Sequence, residues 1–271
     1  MKHLPNLLTL GNLFCGCIAI TYSLTAMPYF TFKTNVYGPP TYEWVYGIQQ
    51  MYLASIFIGI AALCDLLDGF VARALKVFSP IGKDLDSLAD MVSFGVAPAV
   101  ILFQLLWDAQ MGEKNVFDVS MLGMAPAFLL ACFAALRLAK YNITAQSQKA
   151  FFIGMPTPAV GMFVATFPLL IWFNPFGIAE FFKNKWVIYL IIAFLCWLMV
   201  SNIRFFKLIP AKKGLGYMWP QLVLILIGGL SLIILKMAAI PIIFILYILL
   251  SIVYKHPLET ELSETEIINH S

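Results

Sequence analysis

The sequence predicts an all-α, polytopic membrane bundle, and three observations carry that prediction. Of the 271 residues, 61% are hydrophobic and only 11% charged, against about 25% charged in an ordinary soluble domain. The mean hydropathy is +0.88. The apolar residues also gather into eight stretches, each long enough to cross roughly 30 Å of hydrocarbon as a helix. Short loops join them, which predicts one membrane domain over residues 1–256 and a tail over 257–271.

The first stretch, Leu4–Met27, follows a single lysine and imitates a signal peptide. It is long, polar near its start and without a small-x-small cleavage site, so it reads as a retained span. Gly47–Val71 and Gly82–Trp107 follow, then Val119–Leu138, Met155–Phe173 and Trp186–Ile203. Met218–Leu235 and Ala238–Tyr254 are separated only by Lys236 and Met237, which predicts a tight helical hairpin. Ser93 lies one helical turn beyond Asp90, and Pro98 is expected to kink the third span.

Loop charge predicts the orientation. Twelve of the 17 basic residues fall on one side: Lys2, Arg73, Lys76, Lys83, Arg137, Lys140, Lys149, Arg204, Lys207, Lys212, Lys213 and Lys255. Lys33, Lys114, Lys183, Lys185 and Lys236 fall on the other. The bias places both termini in the cytoplasm, with Trp44, Tyr46, Trp107, Trp172 and Trp186 as an aromatic belt at the opposite interface. The tail carries four glutamates and no lysine or arginine, so it reads as solvated.

The net charge of +3 is small and dispersed, which argues against nucleic-acid binding. Cys15, Cys17, Cys64, Cys132 and Cys196 lie in apolar runs without metal-ligand spacing and read as small buried residues. His3, His256 and His270 do not cluster.

Against this background, residues 65–90 are anomalous. The stretch opens Asp65-Leu66-Leu67-Asp68-Gly69-Phe70-Val71-Ala72-Arg73 and closes Gly82-Lys83-Asp84-Leu85-Asp86-Ser87-Leu88-Ala89-Asp90. An ion at mid-span costs roughly 3 kcal/mol on insertion scales, and less near the ends. At about 100° per residue, Asp65, Asp68, Gly69 and Ala72 share one helical face. Asp86 and Asp90 share a face of the next helix, whereas Asp84 points away and suits a helix N-terminus. Two carboxylates from each of two antiparallel helices therefore converge at one depth. Bare, they would repel. Hard divalent cations with oxygen ligands resolve the conflict, and two such ions about 4 Å apart suit phosphoryl transfer. Gly69, Ala72 and Gly82 remove bulk on the facing surface, and Arg73 lies within reach of a phosphate.

The pattern Asp65-x2-Asp68-Gly69-x2-Ala72-Arg73-x8-Gly82-x3-Asp86-x3-Asp90 resembles the signature of the CDP-alcohol phosphotransferase family at every fixed position. The resemblance implies that Asp65, Asp68, Asp86 and Asp90 hold two divalent ions, magnesium or manganese. It implies that Asp90 is the base that deprotonates the acceptor alcohol, and that Asp68, Gly69, Ala72, Arg73 and Gly82 line the nucleotide site. Homodimerisation is implied in the same way.

The signature does not name the alcohol. Pro5-Asn6-Leu7-Leu8-Thr9-Leu10-Gly11-Asn12 presents Asn6 and Thr9 on one face; the family reading is a nucleotide contact, the plain one a helix start capped by Asn6. This stretch, Ser93 to Ala99, Ala135 to Asn142 and Phe152 to Ala159 resemble the membrane-embedded phosphatidylserine synthases within the family. That likeness implies CDP-diacylglycerol and L-serine as substrates at the cell membrane, with the site facing the cytoplasm. Arg137, Lys140, Asn142 and Arg204 are then candidates to hold the serine carboxylate. Their alternative is ordinary anchoring on the positive side of the membrane. Pro156 and Pro158 either shape a pocket wall or start the fifth helix. Two other readings remain: the same chemistry on glycerol 3-phosphate or inositol phosphate, and a cation transporter. A transporter would space acidic residues along the whole crossing, not confine them to one depth.

Overall fold

In the computed structural model, the residues described are 4–25, 29–33, 41–45, 48–75, 80–111, 120–144, 151–207 and 215–254. The acidic tail, His3, His256, His270, Tyr46, Lys2, Lys76, Lys114, Lys149, Lys212, Lys213 and Lys255 lie outside them.

Among the described residues the fold is all-α apart from two short ribbons. Its main helices are α1 (Leu4–Leu24), α2 (Ile48–Leu75), α3 (Pro80–Asp90), α4 (Ala97–Met111), α6 (Leu129–Thr144), α7 (Thr157–Phe173), α9 (Lys185–Val200), α10 (Leu215–Leu235) and α11 (Ala239–Val253). Single turns α5 (Met121–Met124) and α8 (Ala179–Phe182) complete the set. β1 (Tyr29–Lys33) pairs antiparallel with β2 (Thr41–Val45), and β3 (Phe151–Ile153) with β4 (Arg204–Phe206). Neither ribbon is expected from the hydropathy pattern.

Among the described residues, five helical segments are long and apolar enough to cross a membrane. A sixth span results if α7 and the segment Pro175–Phe182, bent from it by 113°, count together. Each of the eight expected stretches has a helix among its described residues, but α9 and α11 are only 16 and 15 residues long. At about 1.5 Å per residue they fall short of a full hydrocarbon crossing. The chain is thus a membrane protein, and among the described residues five or six segments have the length of a full crossing.

The chain divides into two compact units, residues 1–135 with 157–196 and residues 136–156 with 197–271. In the first, the central span is Ile81–Met111: 78% of its most apolar window is buried, against 17–39% in the other spans. The burial is concentrated in α4, where ten of 15 residues are buried, as expected of an apolar helix inside a bundle. Between α3 and α4 the chain forms a π-helical turn, Met91–Val96, in which Ala97 N–H donates to the Val92 carbonyl. Pro98 follows two residues later and has no N–H to continue an α-ladder. The irregularity therefore falls about one turn ahead of the proline expected to cause it.

This turn is where the first unit packs most closely. Ser93, Phe94 and Gly95 are buried. An added Cβ on Gly161 of α7 would lie 2.8 Å from Phe94 Cα, and one on Gly95 would lie 3.1 Å from Ala134 Cβ. Small residues let helix backbones approach where lipid supplies no hydrophobic drive. α1 turns Pro5, Thr9, Asn12, Cys15, Gly16, Ala19 and Ser23 inward.

In the second unit, β3 and β4 pair Phe151 with Phe206 and Ile153 with Arg204. Gly154, at φ +75°, follows β3 and donates to the Ile203 carbonyl at 2.9 Å. Tyr247 of α11 packs on Phe205 and Phe206, and its hydroxyl donates to the Phe206 carbonyl. α10 and α11 form the expected tight hairpin through Lys236–Ala238, with Lys236 at φ +50°. Pro158 lies in the first turn of α7, a position that suits a helix start, and Pro156 lies just before the helix.

The cysteine expectation holds in part. Cys15 and Cys196 are buried and Cys64 is half-buried, but Cys17 and Cys132 lie on exposed helix faces. In an apolar helix the outward face is as apolar as the inward one, so hydropathy does not separate them.

Candidate functional site

The C-terminal half of α2 and the whole of α3 carry the aspartates. α2 brings Asp65 and Asp68 one turn apart onto the side that meets α1 and α3; α3 contributes Asp86. One carboxylate oxygen from each of Asp65, Asp68 and Asp86 lies within 4.8 Å of the others. Asp90, one turn on from Asp86, is buried beside this group and within its electrostatic reach. Asp84 is exposed, as its helical phase predicts.

α1 closes the site from a third direction. Thr9 is buried, and its hydroxyl donates to Asp68 Oδ2 at 2.6 Å while lying 3.1 Å from the Pro5 carbonyl. A hydroxyl on a carboxylate at that length is a strong, charge-assisted hydrogen bond. Asn12 Nδ2 donates to Asp90 Oδ1 at 3.3 Å. Asn6 is half-buried in the first turn, inside the helix and not at its cap. Ser93 turns to α1, where its hydroxyl donates to the Asn12 carbonyl at 3.0 Å.

Of the other expected nucleotide contacts, Gly69 borders open space: an added Cβ would meet no other atom within 4 Å. Ala72 and Gly82 are half-buried, and Arg73 is exposed in the last turn of α2. Bulk is thus absent beside the acids, and a guanidinium stands at the helix end.

The donor set suits a hard divalent cation. All the grouped ligands are carboxylate oxygens, from two helices, at a spacing one ion spans. Asp86 Oδ1 is buried without a hydrogen-bond partner. A buried acceptor in that state is costly, and a metal ion at the group would satisfy it.

The acceptor candidates lie in the second unit. Arg137 is only 7% exposed, with its guanidinium carbon 5.0 Å from the Tyr141 ring centre and 5.7 Å from that of Phe152. Lys207 Nζ stands 4.8 Å from the same Phe152 ring. Burial holds this ammonium below the ordinary lysine range. Arg204 lies over Phe151 at 5.1 Å. Asn142 is half-buried, and Lys140 is exposed at the end of α6. Three cations thus face the two phenylalanines of β3, a cation–π arrangement that draws charge toward an apolar surface.

Asn12 and Lys207 are not among the expected site residues. Asn12 continues the three-residue spacing of Asn6 and Thr9, so periodicity alone points to it. Lys207 joins the cluster only through the pairing of β3 with β4, which has no such signal.

Fold and site together define a class: a polytopic membrane protein whose paired helices bring acidic side chains to one cation-type centre. The profile of the CDP-alcohol phosphatidyltransferase family matches residues 2–198, and the chain belongs to that family. It is 30% identical over 205 residues to the CDP-diacylglycerol–serine O-phosphatidyltransferase of Bacillus subtilis, covering 76% of this chain and 90% of that one. It is 31% identical over 202 residues to the protein of the same name from Helicobacter pylori, covering 74% and 70%. With the Methanocaldococcus jannaschii protein of that name it shares 35% over 163 residues, covering 59% and 68%.

Proposed function

We propose that this protein transfers the phosphatidyl group of CDP-diacylglycerol to L-serine, giving phosphatidylserine and CMP. The observation that carries the reading is the three-carboxylate group with Asp90 buried beside it, in a family whose chemistry acts on CDP-alcohols. Serine as the acceptor rests on the names of the relatives.

Asp65, Asp68, Asp86 and Asp90 would hold two divalent ions, magnesium or manganese. When bound, these neutralise charge on the diphosphate and on the departing CMP. The remaining work falls to side chains. Asn6, Thr9, Gly69, Ala72, Arg73 and Gly82 seat the cytidine diphosphate, the small residues by admitting it close to the backbone. Asp90 takes the proton of the serine hydroxyl. The serine oxygen forms a bond to the phosphorus that carries diacylglycerol, the bond from that phosphorus to the CMP oxygen breaks, and its electron pair leaves with CMP. Arg137, Lys140, Asn142 and Arg204 recognise the serine carboxylate. The protein works as a homodimer in the cell membrane with the site toward the cytoplasm, where serine is available.

The test is CMP release by detergent-purified protein given CDP-diacylglycerol, magnesium or manganese, and one acceptor at a time. Release with serine is expected. Release only with glycerol 3-phosphate or inositol phosphate would overturn the serine assignment, and no release with any acceptor would overturn the whole reading.

A further inference from the structure

We propose that Asn12 is a positioning residue for Asp90, holding the plane of its carboxylate, and that Ser93 and Gly16 set the helix separation this contact needs. The proposal rests on the transfer reading above, in which Asp90 accepts the proton.

Asn12 has no exposed surface, and its Nδ2 donates to Asp90 Oδ1 at 3.3 Å. An ionised carboxylate can only accept, so the amide must present its nitrogen. Its Oδ1 is then left buried without a hydrogen-bond partner. A leucine would fill the same space with no unmatched polar atom, so packing does not account for an amide here. Residues that break a local rule of stability are expected where function requires them.

The contact is braced on both sides. Three residues beyond Asp90, in the π-helical turn, Ser93 Oγ donates to the Asn12 carbonyl at 3.0 Å. One turn beyond Asn12, an added Cβ on Gly16 would collide with the Ser93 hydroxyl and lie 2.9 Å from Ser93 Cα. Side chain and main chain of Asn12 therefore grip the same short stretch, Asp90 to Ser93, from one turn of α1. One carboxylate oxygen of Asp90 is occupied by the amide, and the other is thereby aimed in a single direction.

The experiment uses the full chain in detergent, with CDP-diacylglycerol, magnesium and serine, measuring kcat, the KM for CDP-diacylglycerol and the thermal midpoint. Asn12→Ala and Asn12→Ser are expected to lower kcat about tenfold or more, with KM and midpoint close to the unsubstituted protein. Asn12→Gln keeps an amide donor and is expected to recover part of kcat. An unchanged kcat in Asn12→Ala overturns the proposal. So does a fall in kcat that tracks the midpoint with Asn12→Gln no better than Asn12→Ala, or failure of both short variants to fold. If the unsubstituted protein releases no CMP with any of the acceptors, the transfer reading and this proposal fall together. If it is active and Asn12→Ala equally so, only this proposal falls. Activity with a different acceptor removes serine and leaves the comparison to be read with that acceptor.

Discussion

Asp68 and Asp90 each meet one side chain of α1, Thr9 and Asn12 respectively. The two bonds differ in what they are expected to govern. Thr9 orients a candidate metal ligand from behind, and groups in that position typically alter metal affinity about 10–100-fold. Thr9→Val should therefore raise the magnesium concentration for half-maximal CMP release by about tenfold, read at saturating CDP-diacylglycerol because the same residue is a proposed nucleotide contact. An unaltered magnesium titration would rule that role out. Asp90→Asn removes the proposed base and should lower kcat by about 10²–10⁴, the usual worth of a positioned base; a full rate would exclude it. Chelation of divalent ions should abolish CMP release, with recovery on adding back magnesium or manganese.

At the level of elements, the π-helical turn decides how closely the helices of the first unit approach. Gly16 meets Ser93 across it and Gly161 meets Phe94. Leucine at either position would force backbone apart, and overpacking of this kind costs about 1–3 kcal/mol. Gly161→Leu should lower the thermal midpoint in detergent. A midpoint equal to that of the unsubstituted protein would mean that α7 does not rest on this turn. Gly154 is constrained twice, by φ +75° and by main chain: an added Cβ would lie 3.1 Å from the Met199 carbonyl carbon. Both constraints favour glycine at this position.

For the molecule as a whole, charge makes two predictions. The proposed orientation places position 140, exposed at the end of α6, on the cytoplasmic side. A cysteine there, with the native cysteines replaced, should react with an impermeant maleimide in inverted vesicles and not in right-side-out ones. The opposite result would reverse the topology. Lys207 makes the second. Burial lowers its folded-state value below the 10.5 of a free lysine. Below the folded value both states are protonated and the cost of burying the charge is present in full. As pH rises from there toward 10.5, the unfolded chain holds more protons than the folded one, so this residue's contribution to stability improves. Lys207→Met should be the more stable protein near neutral pH, and its advantage should shrink as melts are repeated up to about pH 10.5. A constant difference would show that Lys207 is not desolvated.

Much of this protein was legible in the chain itself. The membrane class follows from composition, because hydrocarbon excludes charge and unpaired backbone. That Asp65 and Asp68 share one helical face, and Asp86 and Asp90 another, follows from the helical period, which is local and independent of the rest of the fold; the same period sets Asp84 aside, while the meeting of the two faces belongs to the tertiary structure. Span lengths were less legible: hydropathy extends to Ile203, past the end of α9 at Val200, and α9 and α11 are shorter than the apolar runs expected there. What only the tertiary structure decided is which groups meet across long separations. Asn12 reaches Asp90 from 78 residues away, and Lys207 comes to Phe152 because β4 pairs with β3. A helical period orients residues on one helix. It carries no information about which turn of another helix, or which distant strand, will face them; close packing at small residues such as Gly16 and Gly161, and backbone hydrogen bonding between strands, supply that information only once the chain is folded.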